Sequence, residues 1–250
     1  MKGGSGLARA AAVIALLALI AGAMLMAGAG LAYRTGLLPL GTAFDTLRYG
    51  VFTTMGAGVL GTLTLIAGAW GRRMGPALTG ALIAVGAVAM LAVPYGHWQQ
   101  AQHVPPIHDI TTDTRDPPAF VALVEARQRA PNAVDYPGED TARQQREAYP
   151  DIGPLRLRAP LSAVRKAAVE QVHAQDWELA AVSGERIEAT ATTRWFGFRD
   201  DVVIRLREEN DAVRVDMRSA SRVGRSDVGA NAARIRAYLD ALERRVAGAN

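Results

Sequence analysis

Three long apolar runs occupy the first 95 residues and constrain everything that follows. Leu7 to Ala32 is apolar except for Arg9 near its start; Tyr49 to Trp70 and Pro76 to Val93 carry no charged residue or histidine. Each reaches the roughly 18 to 25 residues that a helix needs to cross a hydrocarbon core of about 30 Å. Three membrane-crossing helices are therefore expected within residues 1–95. Ion pumps and proton relays place ionisable groups at depth, and the second and third runs have none, which weighs against transport. Small residues recur at four-residue spacing, as in Ala57 with Gly61, Ala77 with Ala81 and Gly80 with Ala84. That spacing lets helix backbones approach closely. Packing of the three helices on one another is preferred over a partner-binding face.

Charge orients these runs. Lys2 and Arg9 flank the first, and Arg72 and Arg73 sit in the loop after the second. Placing both pairs in the cytoplasm leaves Arg34 and Arg48 outside, and the third run then delivers the rest of the chain outward. The first run is longer than the roughly 7 to 15 residues of a signal-peptide core, so an uncleaved anchor is expected. Six of the 28 basic residues and one of the 24 acids lie in 1–95, which leaves 22 against 23 for the remainder. A near-neutral remainder argues against nucleic acid as a partner. With no cysteine, disulfides, thiolate nucleophiles and cysteine zinc sites are excluded.

Residues 96–158 are punctuated by proline and read as a connecting arm. A helix capped by Asp116, with Pro117 in its first turn and Phe120, Leu123 and Val124 as its stripe, is predicted here. A shorter one is predicted over Glu139 to Glu147. Ile107, Ile110, Tyr136, Tyr149 and Ile152 are more apolar than a free tether needs, so the arm is expected to pack on the domain. His97, His103 and His108 lie near Asp109 and Asp113. Imidazole and carboxylate are ordinary zinc ligands, but these intervals match no standard ligand spacing. Neither a metal nor a cofactor is expected.

Residues 155–248 read as an α+β domain. Leu155 to Arg158 is a short strand, and Leu161, Val164, Ala168 and Val172 mark a helix over about 161–175. Trp177 to Val182 is a strand. Period-two alternation then gives three more, carried by Ile187/Ala189/Ala191/Thr193, Val202/Ile204/Leu206 and Val213/Val215/Met217. Asn210 and Asp211 turn between the last two. Ala232, Ile235, Leu239, Leu242 and Val246 mark a final helix, with Ser226 and Asp227 as capping candidates. The order βαββββα makes a two-layer antiparallel sheet with helices on one face, laid out as in TATA-binding-protein-like folds, with a helix-grip fold as the next candidate. Such likeness says nothing about activity. The sheet's other face carries Glu188, Thr190, Thr192, Arg194, Arg205, Arg207, Arg214, Asp216 and Arg218. It is either a solvated face laced by ion pairs or a groove for the arm, a partner or an anionic head group.

The densest polar cluster is Arg218, Ser219, Ser221, Arg222, Arg225, Ser226, Asp227 and Asn231, where strand, glycine-bearing turn and helix start meet. Helix-start N–H groups and arginine forks suit phosphate or carboxylate. The competing account is internal: Arg222 and Arg225 pair with Asp200, Asp201 or Asp227. Adjacent Asp200 and Asp201 point to opposite faces of a strand, so only one lines a given pocket. Trp195, Phe196 and Phe198 form an aromatic corner beside them. No nucleophile elbow, phosphate-binding loop or dinucleotide fingerprint is present.

The runs PPIHDITTD (105–113), AYPDI (148–152), RIEATATTRWFGFRDDVVIR (186–205) and VDMRSASRVGRSDVGANAARIR (215–236) resemble the family catalogued as domain of unknown function 1499. Members with several N-terminal spans look like bacterial inner-membrane proteins. The resemblance implies a multi-pass protein of that membrane, its soluble part periplasmic, with arm and domain as one unit. It brings no activity or cofactor. The function expected is non-catalytic binding of a protein partner or an anionic lipid head group beside the bilayer. The candidate ligand residues are Arg218, Ser221, Arg222, Arg225, Ser226, Asp227, Asn231, Asp200, His108 and Asp109. The alternative is a hydrolase or lyase that uses His108, Asp109 and Asp200 with the arginine cluster.

Overall fold

The structure is a computed structural model and describes residues 3–248. Lys2, one of the charges that orient the first run, lies outside the described residues. The chain divides into two units, one of residues 1–99 with 194–197 and one of residues 100–193 with 198–250.

The first unit holds α1 (Gly3–Arg34), α2 (Leu40–Trp70) and α3 (Met74–His103), whose last turn passes into the second unit. All three are long and apolar enough to cross a membrane. They outrun the apolar runs, because α2 starts well before Tyr49 and α3 continues through Pro94, where a proline removes one helical N–H. Small residues bring the backbones together. A Cβ on Gly80 would lie 2.4 Å from the Leu65 N, closer than any packed side chain allows. Residues 194–197 belong to this unit. Trp195 Nε1 donates to the Ala27 carbonyl (3.1 Å), and the buried Phe196 ring lies 5.4 Å from Phe44 and 6.2 Å from Tyr33.

The second unit is a six-stranded antiparallel sheet with helices. In chain order it comprises β1 (Asp109–Thr111), α4 (Val124–Gln128), α5 (Glu139–Ala148), β2 (Leu155–Leu157), α6 (Leu161–Ala174), β3 (Glu178–Ser183), β4 (Arg186–Thr192), β5 (Arg199–Glu209), β6 (Ala212–Ser221) and α7 (Ala230–Ala247). The sheet runs β1-β6-β5-β4-β3, and β2 shares the outer edge of β6 with β1. Asn210, at φ 55°, turns the β5–β6 hairpin. Ile187, Val202, Ile204, Leu206, Val215 and Met217 form the core with Val164, Val172, Ile235 and Leu242 of α6 and α7. Each such side chain contributes roughly 1.5–3 kcal/mol on burial. Trp177 stacks on Tyr238 at 5.3 Å, and the Tyr238 hydroxyl donates to the Ala168 carbonyl (2.7 Å). The α+β class and the βαββββα core are as the periodicity predicts.

Two expectations change, and a third feature narrows an open alternative. The short strand β1 lies in the arm, where no strand is predicted. The first arm helix starts at Val124 rather than near Asp116. The residues before it extend over the sheet, where the buried Glu188 carboxylate accepts the N–H groups of Val121 (2.9 Å), Ala122 (3.1 Å) and Leu123 (3.0 Å). A carboxylate from another strand supplies the acceptors that a local cap would otherwise provide. Thirdly, the face opposite the helices is covered. Phe120 and Leu123 pack on Val203 and Ala220, with Val124 and Val134 against them. The two-layer arrangement therefore gains a covering of arm, and that face shows both features expected of it, a seat for the arm and ion pairs that join Arg205, Arg207 and Arg214 to Asp216.

Candidate functional site

The candidate residues gather where β1, the ends of β5 and β6 and the start of α7 meet, but the sheet divides them. Directly opposed residues of an antiparallel pair point to one face. Asp109 opposes Ala220, and Asp201 also opposes Ala220, so both face the arm. Asp200 opposes Ser221 on the face that carries α7.

On the arm face, Asp109 and Arg218 are 1% and 2% exposed and meet through two parallel contacts, Nε to Oδ1 at 2.9 Å and Nη2 to Oδ2 at 2.8 Å. The Arg218 Nη2 also donates to the Val134 carbonyl (2.9 Å). Fully buried Asp201 accepts from Arg222 Nη2 (2.8 Å), Arg127 Nη1 (3.1 Å) and Thr190 Oγ1 (2.8 Å). The Arg127 and Arg218 guanidinium groups both stack over the Phe120 ring, at 4.8 and 4.7 Å from its centroid. Burial pushes the Arg127 pKa down, and the Asp201 charge opposes the shift. Burial and the charge of Asp109 push the Tyr136 hydroxyl up, and its Oη has no hydrogen-bond partner.

On the helix face, the Asp200 carboxylate accepts from Arg234 Nη2 at 2.6 Å. Arg234 also donates to Ser219 Oγ (3.0 Å) and to Asn231. Asn231 Nδ2 donates to the carbonyl of His108 (2.9 Å) and to Ser221 Oγ (3.0 Å). Asp227 caps α7 from two residues before Gly229, accepting the N–H groups of Gly229 (2.8 Å) and Asn231 (2.9 Å). Burial raises its pKa, and those two donors act against the shift. Ser226 Oγ accepts the Val228 N–H (3.1 Å). Half-buried His108 accepts the Ser221 N–H at its carbonyl (2.9 Å), while its Nδ1 is buried without a partner. Arg225 is exposed, and no ion pair to it is found among the described residues.

The structure thus brings together Ser221, Asn231, Asp200, Asp227 and the His108 carbonyl on one side, and Asp109, Arg218, Arg222 and Asp201 on the other. It does not bring Asp109 to Asp200. Two residues that hold the site together, Arg127 and Arg234, escaped the sequence reading. Arg127 stands at helical spacing from Phe120 and Leu123, and a charge on an apolar stripe signals a buried counter-ion. Arg234 carries no comparable signal. A further acid, fully buried Asp216, accepts from Arg205 (3.1 Å), Arg207 (2.9 Å) and Arg214 (2.9 Å), and Arg214 reaches Asp113 of the arm (2.7 Å). Among the described residues no group of three or more His, Asp or Glu is arranged to hold a metal ion.

No curated protein matches this chain. Among solved structures, it is similar to the crystal structure of TTHA0849 from Thermus thermophilus, at 15% identity over 39% of this chain and 97% of that one. The TM-score of 0.27 is too low for that likeness to bear on the site. Residues 109–242, more than half of the chain, match the family described as protein of unknown function, DUF1499, and they take in β1, the arm from Asp109 onward, the sheet and most of α7. The chain belongs to the DUF1499 family.

Proposed function

We propose that the chain is a membrane-anchored, non-catalytic binding protein. Three spans in the bacterial cytoplasmic membrane hold its α+β unit on the periplasmic side, where it meets a protein partner or an anionic lipid head group. The observation that supports this reading is the distribution of charge at the corner. Arg218, Arg222, Arg127 and Arg234 are each committed to a buried acid, and together they stiffen a platform. Arg225 is the remaining cation of the cluster. Its turn is pinned by Asn132, whose Nδ2 donates to the carbonyls of Gly224 (2.9 Å) and Ser221 (3.0 Å). A guanidinium carried on an anchored turn offers a planar fork to carboxylate or phosphate. Against the hydrolase or lyase reading, Asp109 and Asp200 stand on opposite faces, each held by an arginine. Two groups so placed do not share a reacting atom within hydrogen-bond reach.

A photo-crosslinking residue placed at Arg225 of the full chain, in its own membrane, is expected to capture a discrete protein or a labelled anionic lipid. The control position is Lys166 on α6, with its side chain 79% exposed. Equal capture at both positions would sink the reading. Arg225→Ala should lower the capture of a neighbouring probe without changing stability. Arg222→Ala should instead destabilise the unit by about 1–3 kcal/mol, since it removes charged hydrogen bonds to Asp201.

A further inference from the structure

The first unit carries a groove that the proposed contact at Arg225 does not use. Its volume is about 690 Å³, and Arg9, Ala12, Val13 and Leu16 of α1 line it with Arg73, Pro76 and their neighbours at the start of α3. That volume falls within the roughly 300–1,000 Å³ of ordinary ligand pockets. The α1 residues follow the spacing of a single helical face, so the groove runs along the helix for about 10 Å from Arg9 to Leu16. Charge and apolarity are segregated along it. Arg9 and Arg73 stand at one end, and Val13 and Leu16, 56% and 44% exposed, continue from them.

Among the described residues neither arginine side chain has a hydrogen-bond or ion-pair partner. Asp45 is the only acid before Asp109, and it is paired with Arg48 at 3.1 Å. Two unpaired guanidinium groups at the mouth of an apolar furrow complement one molecule class: an anionic head group joined to a hydrocarbon chain. A free phosphate would satisfy the arginines and leave the furrow unfilled. In the orientation proposed from the loop charges, this end of the helices faces the cytoplasm, where basic pockets between membrane helices take acidic lipid head groups.

We infer that this groove binds an anionic phospholipid, with its phosphate between Arg9 and Arg73 and one acyl chain along Val13 and Leu16. The site is separate from the Arg225 contact and stands or falls independently of it.

The test uses the full chain, delipidated in detergent and offered phosphatidylglycerol or phosphatidylcholine, with bound lipid counted by native mass spectrometry. Phosphatidylglycerol should be retained in preference to phosphatidylcholine. Arg9→Gln with Arg73→Gln should weaken that retention about thirtyfold, the product of two surface arginines. The charge-preserving pair Arg9→Lys and Arg73→Lys should keep most of it. Inorganic phosphate at millimolar concentration should not displace the lipid. Equal retention of the two lipids by the unmodified chain would overturn the inference even if the glutamine variant failed to fold. So would undiminished binding by a folded glutamine variant, or displacement by phosphate alone, which would mark a simple anion site.

Discussion

At the scale of single residues, the second unit is governed by where its arginines find acids. Arg218 and Asp109 have almost no exposed surface and meet bidentately. Removing one partner of such a pair leaves the other charged and dry. Asp109→Ala should therefore cost about 3–5 kcal/mol, read from the urea midpoint of the second unit. Replacing both partners, Asp109→Leu with Arg218→Met, should recover most of that loss, because apolar groups of similar volume carry no desolvation penalty. A single-variant loss under about 1 kcal/mol would place the pair among solvated surface bridges. Phe120 adds to the arrangement, since its ring lies within cation–π distance of two guanidinium groups, those of Arg127 and Arg218.

At the scale of elements, the arm is a part of the sheet's architecture. It supplies β1 to the edge of β6, an apolar patch to the outer face and a set of N–H groups to Glu188. Those N–H groups precede α4 and have no partner in their own helix, so the carboxylate decides where the helix begins. Glu188→Ala should cost about 1–3 kcal/mol from the stranded donors. Hydrogen exchange at Val121, Ala122 and Leu123 should accelerate while the β5–β6 ladder remains protected. Unchanged exchange at those three amides would mean that they are held by something other than Glu188.

At the scale of the whole molecule, the proposed placement follows from the three apolar helices and their loop charges. A reporter fused after Val246, active only outside the cytoplasm, should be active. Activity of a cytoplasm-only reporter at the same position would reverse the orientation, and with it the side from which any partner reaches Arg225. Much of this level was legible in the residues alone. The lengths of Leu7–Ala32, Tyr49–Trp70 and Pro76–Val93 announced three long helices, and the alternation through 187–217 announced the hairpins. The polar cluster from Arg218 to Asn231 was legible as a cluster. Its partners were not, because Arg127 comes from a segment dozens of residues away and Arg234 has the look of an ordinary helix-surface arginine.

What the sequence by itself determined was every element whose burial repeats along the chain: membrane-length apolar runs, period-two strands and the 3.6-period faces of α6 and α7. Those patterns depend on each residue's preference for water or for its absence, which is a local property. Only the tertiary structure decided that three residues beginning with an aspartate form β1, that the arm helix starts at Val124, and which arginine each acid holds. Those outcomes depend on strand register, and a shift of one residue would have exchanged the faces of Asp200 and Asp201 and given each a different counter-ion.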